Sequence, residues 1–120
     1  MITGTITDHR AYVTLLIKGE GIQANAEFLV DTGYTGTLTL PLADCIALKL
    51  PYVGERESFL ANGSKVDTEM YDLTVIWDGK EREIQILAIG QERLLGTIML
   101  NGYKLCADFG SNTLTIEQSA

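Results

Sequence analysis

The chain has 120 residues, 46% of them hydrophobic and 21% charged, which suits one folded soluble domain spanning residues 1–120 and excludes a disordered or fibrous chain. Nine basic against sixteen acidic residues leave a net charge of -7, which repels phosphate backbones and anionic bilayers, so neither nucleic acid nor membrane is expected as a partner. No apolar run approaches the roughly 20 residues that cross a bilayer, and no basic leader with an apolar core follows Met1, so a cytoplasmic protein is expected.

Alternation at period two, rich in β-branched and aromatic residues and punctuated by Gly, Asn and Asp, runs through most of the chain and predicts a mostly β fold. Thr3–Thr7 and Tyr12–Ile17 read as the first two strands. His9 lies between them without a companion for metal or proton chemistry, and is expected at the surface. After the turn Gly19-Glu20-Gly21, the residues Ile22, Ala24, Ala26, Phe28 and Val30 alternate with polar neighbours, so a third strand runs directly into Asp31. Leu38–Leu40 follow. Pro41 then precedes Leu42–Leu48, where apolar spacing predicts a short helix.

Phe59–Val66 places Asn62-Gly63 between two apolar runs, the strongest short hairpin signal in a sequence. Ala61 and Ser64 beside it are small, so the hairpin is expected to project and to move. Met70–Trp77 and Arg82–Ile89 flank a second turn, Asp78-Gly79, and Tyr103–Phe109 and Thr113–Glu117 flank a third, Gly110-Ser111-Asn112. Leu94-Leu95-Gly96 leads into a brief helical stretch, Thr97–Asn101, with Gly102 as its C-cap. Trp77 is expected in packing rather than ligand stacking, and Asp108 as a turn cap or a partner-facing group. The acids Glu55, Glu57, Asp67, Glu69, Asp72, Glu81 and Glu83 are expected on a solvated face. Cys45 and Cys106 have neither metal-ligand nor redox spacing, so both are expected to be small buried apolar groups.

The segment Val30-Asp31-Thr32-Gly33-Tyr34-Thr35-Gly36 carries the chemistry. An apolar strand anchors it, and Asp, a hydroxyl residue and Gly follow in the order a rigid carboxylate loop needs. Amide hydrolysis without a metal or a covalent nucleophile takes one carboxylate to activate water and one carboxylic acid to polarise the carbonyl. Two carboxyls near 3 Å cannot both ionise, so they share one proton and titrate as a coupled pair.

Phe28-Leu29-Val30-Asp31-Thr32-Gly33 resembles the active-site signature of retropepsin-like (retroviral-type) aspartic peptidases, including their single-domain bacterial relatives. Leu94, Leu95 and Gly96 resemble the apolar pair and glycine that pack beneath the loop in that family, and the Asn62-Gly63 hairpin lies where the family has its flap. The resemblance covers nearly the whole chain. It implies a small closed acid-protease-type β-barrel with one or two short helices, a half-site that homodimerises, and an extended peptide or protein as substrate. It implies Asp31 as the catalytic carboxylate, Thr32 bridging to the partner's loop, and no metal or cofactor.

The family usually carries a small Ala or Ser where this chain has Tyr34. A ring there either crowds the cleft or lines it, and Thr35 is expected to supply the substitute hydroxyl. One Asp loop in 120 residues makes catalysis depend on two copies, with Ile2–Thr7 and Leu114–Gln118 as expected interface edges. Two other readings stand beside this one: a plain Asp-initiated turn, and a catalytically silent dimeric peptide-binding module on the same fold.

Overall fold

The computed structural model describes residues 1–59 and 61–120; Leu60, within the expected Phe59–Val66 hairpin, lies outside the described residues. Hairpins built on short turns account for most of the architecture. Strand β1 (Ile2–Thr7) turns back into β2 (Arg10–Lys18) through Asp8 and His9, which both take positive φ, 50° and 64°. Asp and His are among the non-glycine residues that tolerate this region, and two positive-φ residues make the turn whose twist matches the strands on either side. His9 is exposed, as expected.

Strand β2 then pairs along its length with β3 (Gln23–Val30), from Tyr12↔Leu29 to Lys18↔Gln23. The two-residue β4 (Thr39–Leu40) follows, and then the helix α1 (Leu42–Ala47). Pro41 is the N-cap of that helix, and Cys45 is its buried residue. Strands β5 (Tyr52–Phe59) and β6 (Lys65–Trp77) form the long hairpin, with β6 continuing through Asp78-Gly79 into β7 (Lys80–Ala88). Asp78 and Gly79 both take positive φ, 52° and 81°, between the paired residues Trp77 and Lys80. The Asp-Gly signal therefore gives the two-residue turn it predicts.

Three short elements complete the chain: β8 (Leu94–Leu95), β9 (Tyr103–Asp108) and β10 (Thr113–Gln118). The expected helical stretch at Thr97–Asn101 is tighter than an α-helix. Its amides bond three residues back, Met99 to Gly96 at 3.2 Å, Leu100 to Thr97 at 3.1 Å and Asn101 to Ile98 at 3.3 Å, which is the 3₁₀ pattern of short connecting pieces. Gly102, at φ 82°, ends it. Asp108 is a turn cap, its Oδ1 accepting from the amides of Gly110 (2.8 Å) and Ser111 (3.2 Å). Those two bonds hold its carboxyl below the usual carboxylate range.

The strands join one sheet in the order β4-β7-β6-β2-β1-β10-β9, with β3 branching from β2 and β5 from β6. The fold is mostly β, and the curled sheet encloses one cluster of buried side chains, among them Val13, Phe28, Leu38, Leu73, Trp77, Leu95 and Met99. It is not closed as a barrel: β4 and β9 end the hydrogen-bonded path and do not pair with each other. The physical reason is that the chain turns its last two strands back on β1, so side-chain packing, not a last hydrogen-bonded ladder, seals the core.

Two further expectations are corrected. Strand β10 is not a free edge, since it lies between β1 and β9, and β1 pairs with β2 over Thr5–Thr7, leaving Ile2–Gly4 paired with β10 alone. The open terminal strand is β9. Cys106 sits on that strand and is exposed, whereas Cys45 is buried. Period two explains it, because the half-buried Tyr103 and Leu105 face inward and Cys106 therefore faces out. Burial, together with the Asp44 carboxylate, pushes the Cys45 thiol up to about 11. A disulfide-exchange reagent at pH 8 should thus titrate one thiol in the native protein and the second only after denaturation; two fast thiols in the native state would contradict this packing.

Trp77 is in the core, with its ring edge-on to Tyr103 at 5.5 Å between centroids. Of the acids expected on a solvated face, Glu55, Glu57, Asp67, Asp72, Glu81 and Glu83 are exposed and Glu69 is half-buried. Glu69 accepts a hydrogen bond from the Tyr71 hydroxyl at 3.0 Å.

Candidate active site

Residue 31 is placed by a crossing of two strands distant in sequence. Strand β3 meets β8 in parallel, Leu29 opposite Leu94 and Val30 opposite Leu95. The Leu29 amide donates to the Arg93 carbonyl (2.8 Å) and the Asp31 amide to the Leu95 carbonyl (2.9 Å). The apolar alternation of β3 drives this, since Phe28 and Leu95 are fully buried and Val30 is packed against the same cluster. Asp31 therefore leaves the core at a fixed point, half-buried, with its backbone already bonded.

The loop that follows is shaped by its own bonds. Asp31 Oδ1 accepts from the Gly33 amide at 2.9 Å, and the Asp31 carbonyl accepts from the Tyr34 amide at 3.1 Å. This is an Asx-type turn, so the plain-turn reading describes the local geometry correctly. It uses one carboxylate oxygen only. Among the described residues Oδ2 has no hydrogen-bond partner, and neither has the hydroxyl of Thr32 or of Thr35, both exposed. Thr35 consequently supplies no hydroxyl to Asp31 within the chain.

A second set of bonds staples the far side of the loop to the segment after β8. The Gly96 amide donates to the Thr37 carbonyl (2.7 Å), that of Thr97 to the Tyr34 carbonyl (2.9 Å), and that of Ile98 to the Gly36 carbonyl (3.0 Å). Thr39 Oγ1 accepts from the Leu94 amide at 2.9 Å. Arg93 Nε bonds Asp44 Oδ2 at 2.7 Å, tying α1 to the start of β8. Leu94 and Leu95 pair with β3, and Gly96 lies against the loop backbone.

Glycine is required at position 96 by space. A Cβ there would lie 2.7 Å from both the carbonyl oxygen and the Cδ2 of Tyr34, and closer still to the Gly36 carbonyl. A Cβ on Gly36 would strike the Tyr34 ring at Cε1, Cζ and the hydroxyl. The Tyr34 ring is therefore seated between two glycines. It is half-buried and lines the space between the loop and strand β5. Burial raises the Tyr34 phenol above its ordinary range, with the Arg56 guanidinium opposing, so the hydroxyl stays protonated at working pH.

The β5–β6 hairpin extends from this site. Among the described residues its last pair toward the tip is Phe59↔Lys65. Asn62 Oδ1 accepts from the Ser64 amide at 2.9 Å, and Gly63 takes φ 85°. Ala61, Asn62, Gly63 and Ser64 are all exposed. Two cavities, each about 430 Å³, meet along Tyr34, Arg56 and Leu87, between the Asp31 loop, the hairpin and β7. Arg56 and Leu87 are site-lining residues that pattern reading alone passes over.

No family model matches the sequence, and no curated protein matches it. Solved structures do. The chain is similar to the EIAV protease solved with the inhibitor HBY-793, at 21% identity over 78% of this chain and 88% of that one, with a TM-score of 0.61. It is also similar to a retropepsin-like aspartic protease from Rickettsia conorii, at 21% identity over 99% of this chain and 90% of that one, with a TM-score of 0.61. These likenesses establish a shared fold.

Proposed function

We propose that this chain, which has the retropepsin-like fold, is an aspartic endopeptidase that works as a homodimer in the cytoplasm. The observation that carries the proposal is the state of Asp31: backbone fixed to Leu95, one carboxylate oxygen held by Gly33 and the other unpartnered among the described residues, on a loop whose Tyr34 lines a cavity bordered by the β5–β6 hairpin. A carboxylate in that state is poised to bind a water or a second carboxyl. The chain has a single Asp-Thr-Gly loop, so the second carboxyl is assigned to a second copy related by a two-fold axis. The two Asp31 groups then share one proton, the ionised one activating water and the protonated one polarising the scissile carbonyl.

In the proposed complex an extended peptide lies beneath the 61–64 tip, pairing by its backbone with the hairpin and placing alternate side chains in the cavities on either side of Arg56. The exposed Thr32 hydroxyl is assigned to the partner's loop, which accounts for its lack of a partner within the chain. Free thiols at Cys45 and Cys106 fit a reducing compartment. No cofactor enters the mechanism.

A second reading, peptide binding without turnover, keeps the dimer and the cleft and removes the chemistry. Mass-spectrometric cleavage profiling of an unstructured peptide pool, from roughly pH 3.5 to 7 where coupled carboxyl pairs titrate, separates the two. The peptidase reading expects discrete cleavage sites and a dimer by sedimentation over the same range. Intact peptides at every pH, with the dimer present, would leave the binding module.

A further inference from the structure

The β5–β6 hairpin has two chemically different faces, fixed by strand register. Glu55 pairs with Glu69 and Glu57 with Asp67, so these four acids share one face. Arg56 pairs with Thr68, and Ser58 with Val66, on the other. Thr68 is buried on the Arg56 face, while Arg56 itself is exposed. Met70, next but one along β6, pairs with the buried Leu87 on that same side. Glu57, ion-paired to Lys65, lines one of the two cavities beside Tyr34, and Arg56 lines both.

No carboxylate of the protein answers it. Among the described residues Arg56 forms no ion pair within 4.0 Å, although Arg10, Lys18, Lys65, Arg93 and Lys104 each have an acidic partner. Of the two cavities of about 430 Å³ that Arg56 shares with Tyr34, one is lined by a second guanidinium, that of the half-buried Arg82, and by no acidic residue, and the other by Glu57, whose carboxylate is already paired with Lys65 at 2.7 Å. In a chain of net charge -7, two arginines without an ion pair on one acid-free cavity, beside the loop that carries Tyr34, call for an anion from outside.

We infer that Arg56 determines specificity by binding an acidic side chain, Asp or Glu, of a peptide held in the cleft. The inference rests on the peptide-cleft reading above and names the substrate class for it. Guanidinium and carboxylate form two parallel charge-assisted bonds, and the cavity wall of Met70, Ile84, Ile86 and Leu87 accommodates the methylene stem of the same residue. In the two-fold dimer each protomer contributes one Arg56, so the preference falls at two positions, symmetric about the scissile bond.

The test uses octapeptides that carry Glu or Gln at one position at a time, each as free acid and as C-terminal amide. The full-length protein should cleave the Glu member about tenfold faster in kcat/KM at the reading positions, for the amide as well as the acid. Arg56→Gln should bring the Glu peptide down to its Gln counterpart, and Arg56→Glu should invert the preference toward a Lys peptide. A purely structural role would lower all peptides alike and give no inversion. A preference that vanishes in the amide assigns the contact to the terminal carboxylate and overturns the side-chain assignment. Equal cleavage of Glu and Gln peptides at every position overturns the inference outright. Fluorescence polarisation with the same peptides on Asp31→Asn keeps the two readings apart: a Glu preference in binding that Arg56→Gln abolishes sustains the subsite even if the wild type cleaves nothing.

Discussion

Asp31→Asn is expected to reduce peptide cleavage by about a thousandfold or more while the protein stays folded. The substitution is nearly isosteric, and the bond that shapes the loop survives it, because an Asn side-chain oxygen accepts from the Gly33 amide as Asp31 Oδ1 does. On the proposed mechanism, what disappears is the capacity to take a proton from water and to return one to the leaving nitrogen. In a homodimer one codon removes both carboxyls, so no half-active species remains. Association should not weaken: at neutral pH two carboxyls facing each other repel unless they share a proton, and two amides do not. The informative experiment pairs kcat/KM with sedimentation for both proteins. Cleavage by pure Asp31→Asn at the wild-type rate would sink the aspartic mechanism. Loss of cleavage together with loss of the dimer would place Asp31 in assembly instead.

The second large effect is expected at Gly96, where Gly96→Ala should lower stability by about 3 kcal/mol, the upper end of what overpacking costs. The added methyl meets two backbone carbonyls and the Tyr34 ring, and a carbonyl cannot swing away as a flexible side chain can. Relief requires pushing the 34–37 stretch off the segment after β8, which strains the bonds from Gly96 to Thr37 and from Ile98 to Gly36. A drop in Tm of roughly 10 °C follows for a chain of this size, with cleavage lost at temperatures where the variant remains folded. Gly21→Ala is the comparison. Gly21 takes φ 73° with open space where a Cβ would go, so its cost is conformational only, about 1 kcal/mol. Equal melting of the two variants would refute the steric account of Gly96.

The fold and the loop proposed as the centre of the candidate site stand out in the sequence for different reasons. The alternation from Ile22 to Val30 delivers a strand that ends at Asp31 because one face of that strand is buried, and burial is what period two records. Asp78-Gly79 was legible because positive φ at two successive residues favours those residue types. Asp8-His9 makes the same kind of turn with residues that only tolerate it, so the sequence carried no comparable signal. The two-residue pairing of Leu94–Leu95 with Leu29–Val30 is too short for any period to register, and the open ends at β4 and β9 depend on which strands meet, not on what each prefers. Cys106 illustrates the limit from the other side: a residue type that is usually buried takes the outward position because Tyr103 and Leu105 claim the inward ones. Arg56 looks like one charge among neighbouring acids until register separates it from Glu55 and Glu57.

The parallel contact between Val30 and Leu95 also sets the order in which the molecule comes into being. Parallel pairing between distant segments is slow to form, because the intervening chain must first be ordered. A ribosome adding about 5–20 residues per second therefore exposes the Asp31 segment well before its acceptor at Leu95 exists. Until residues 94–98 emerge and dock, Asp31 is an ordinary carboxylate on an unshaped loop. The candidate site is thus assembled only after residues 94–98 have been made, and a nascent chain stalled before β8 carries the acid without the geometry to use it.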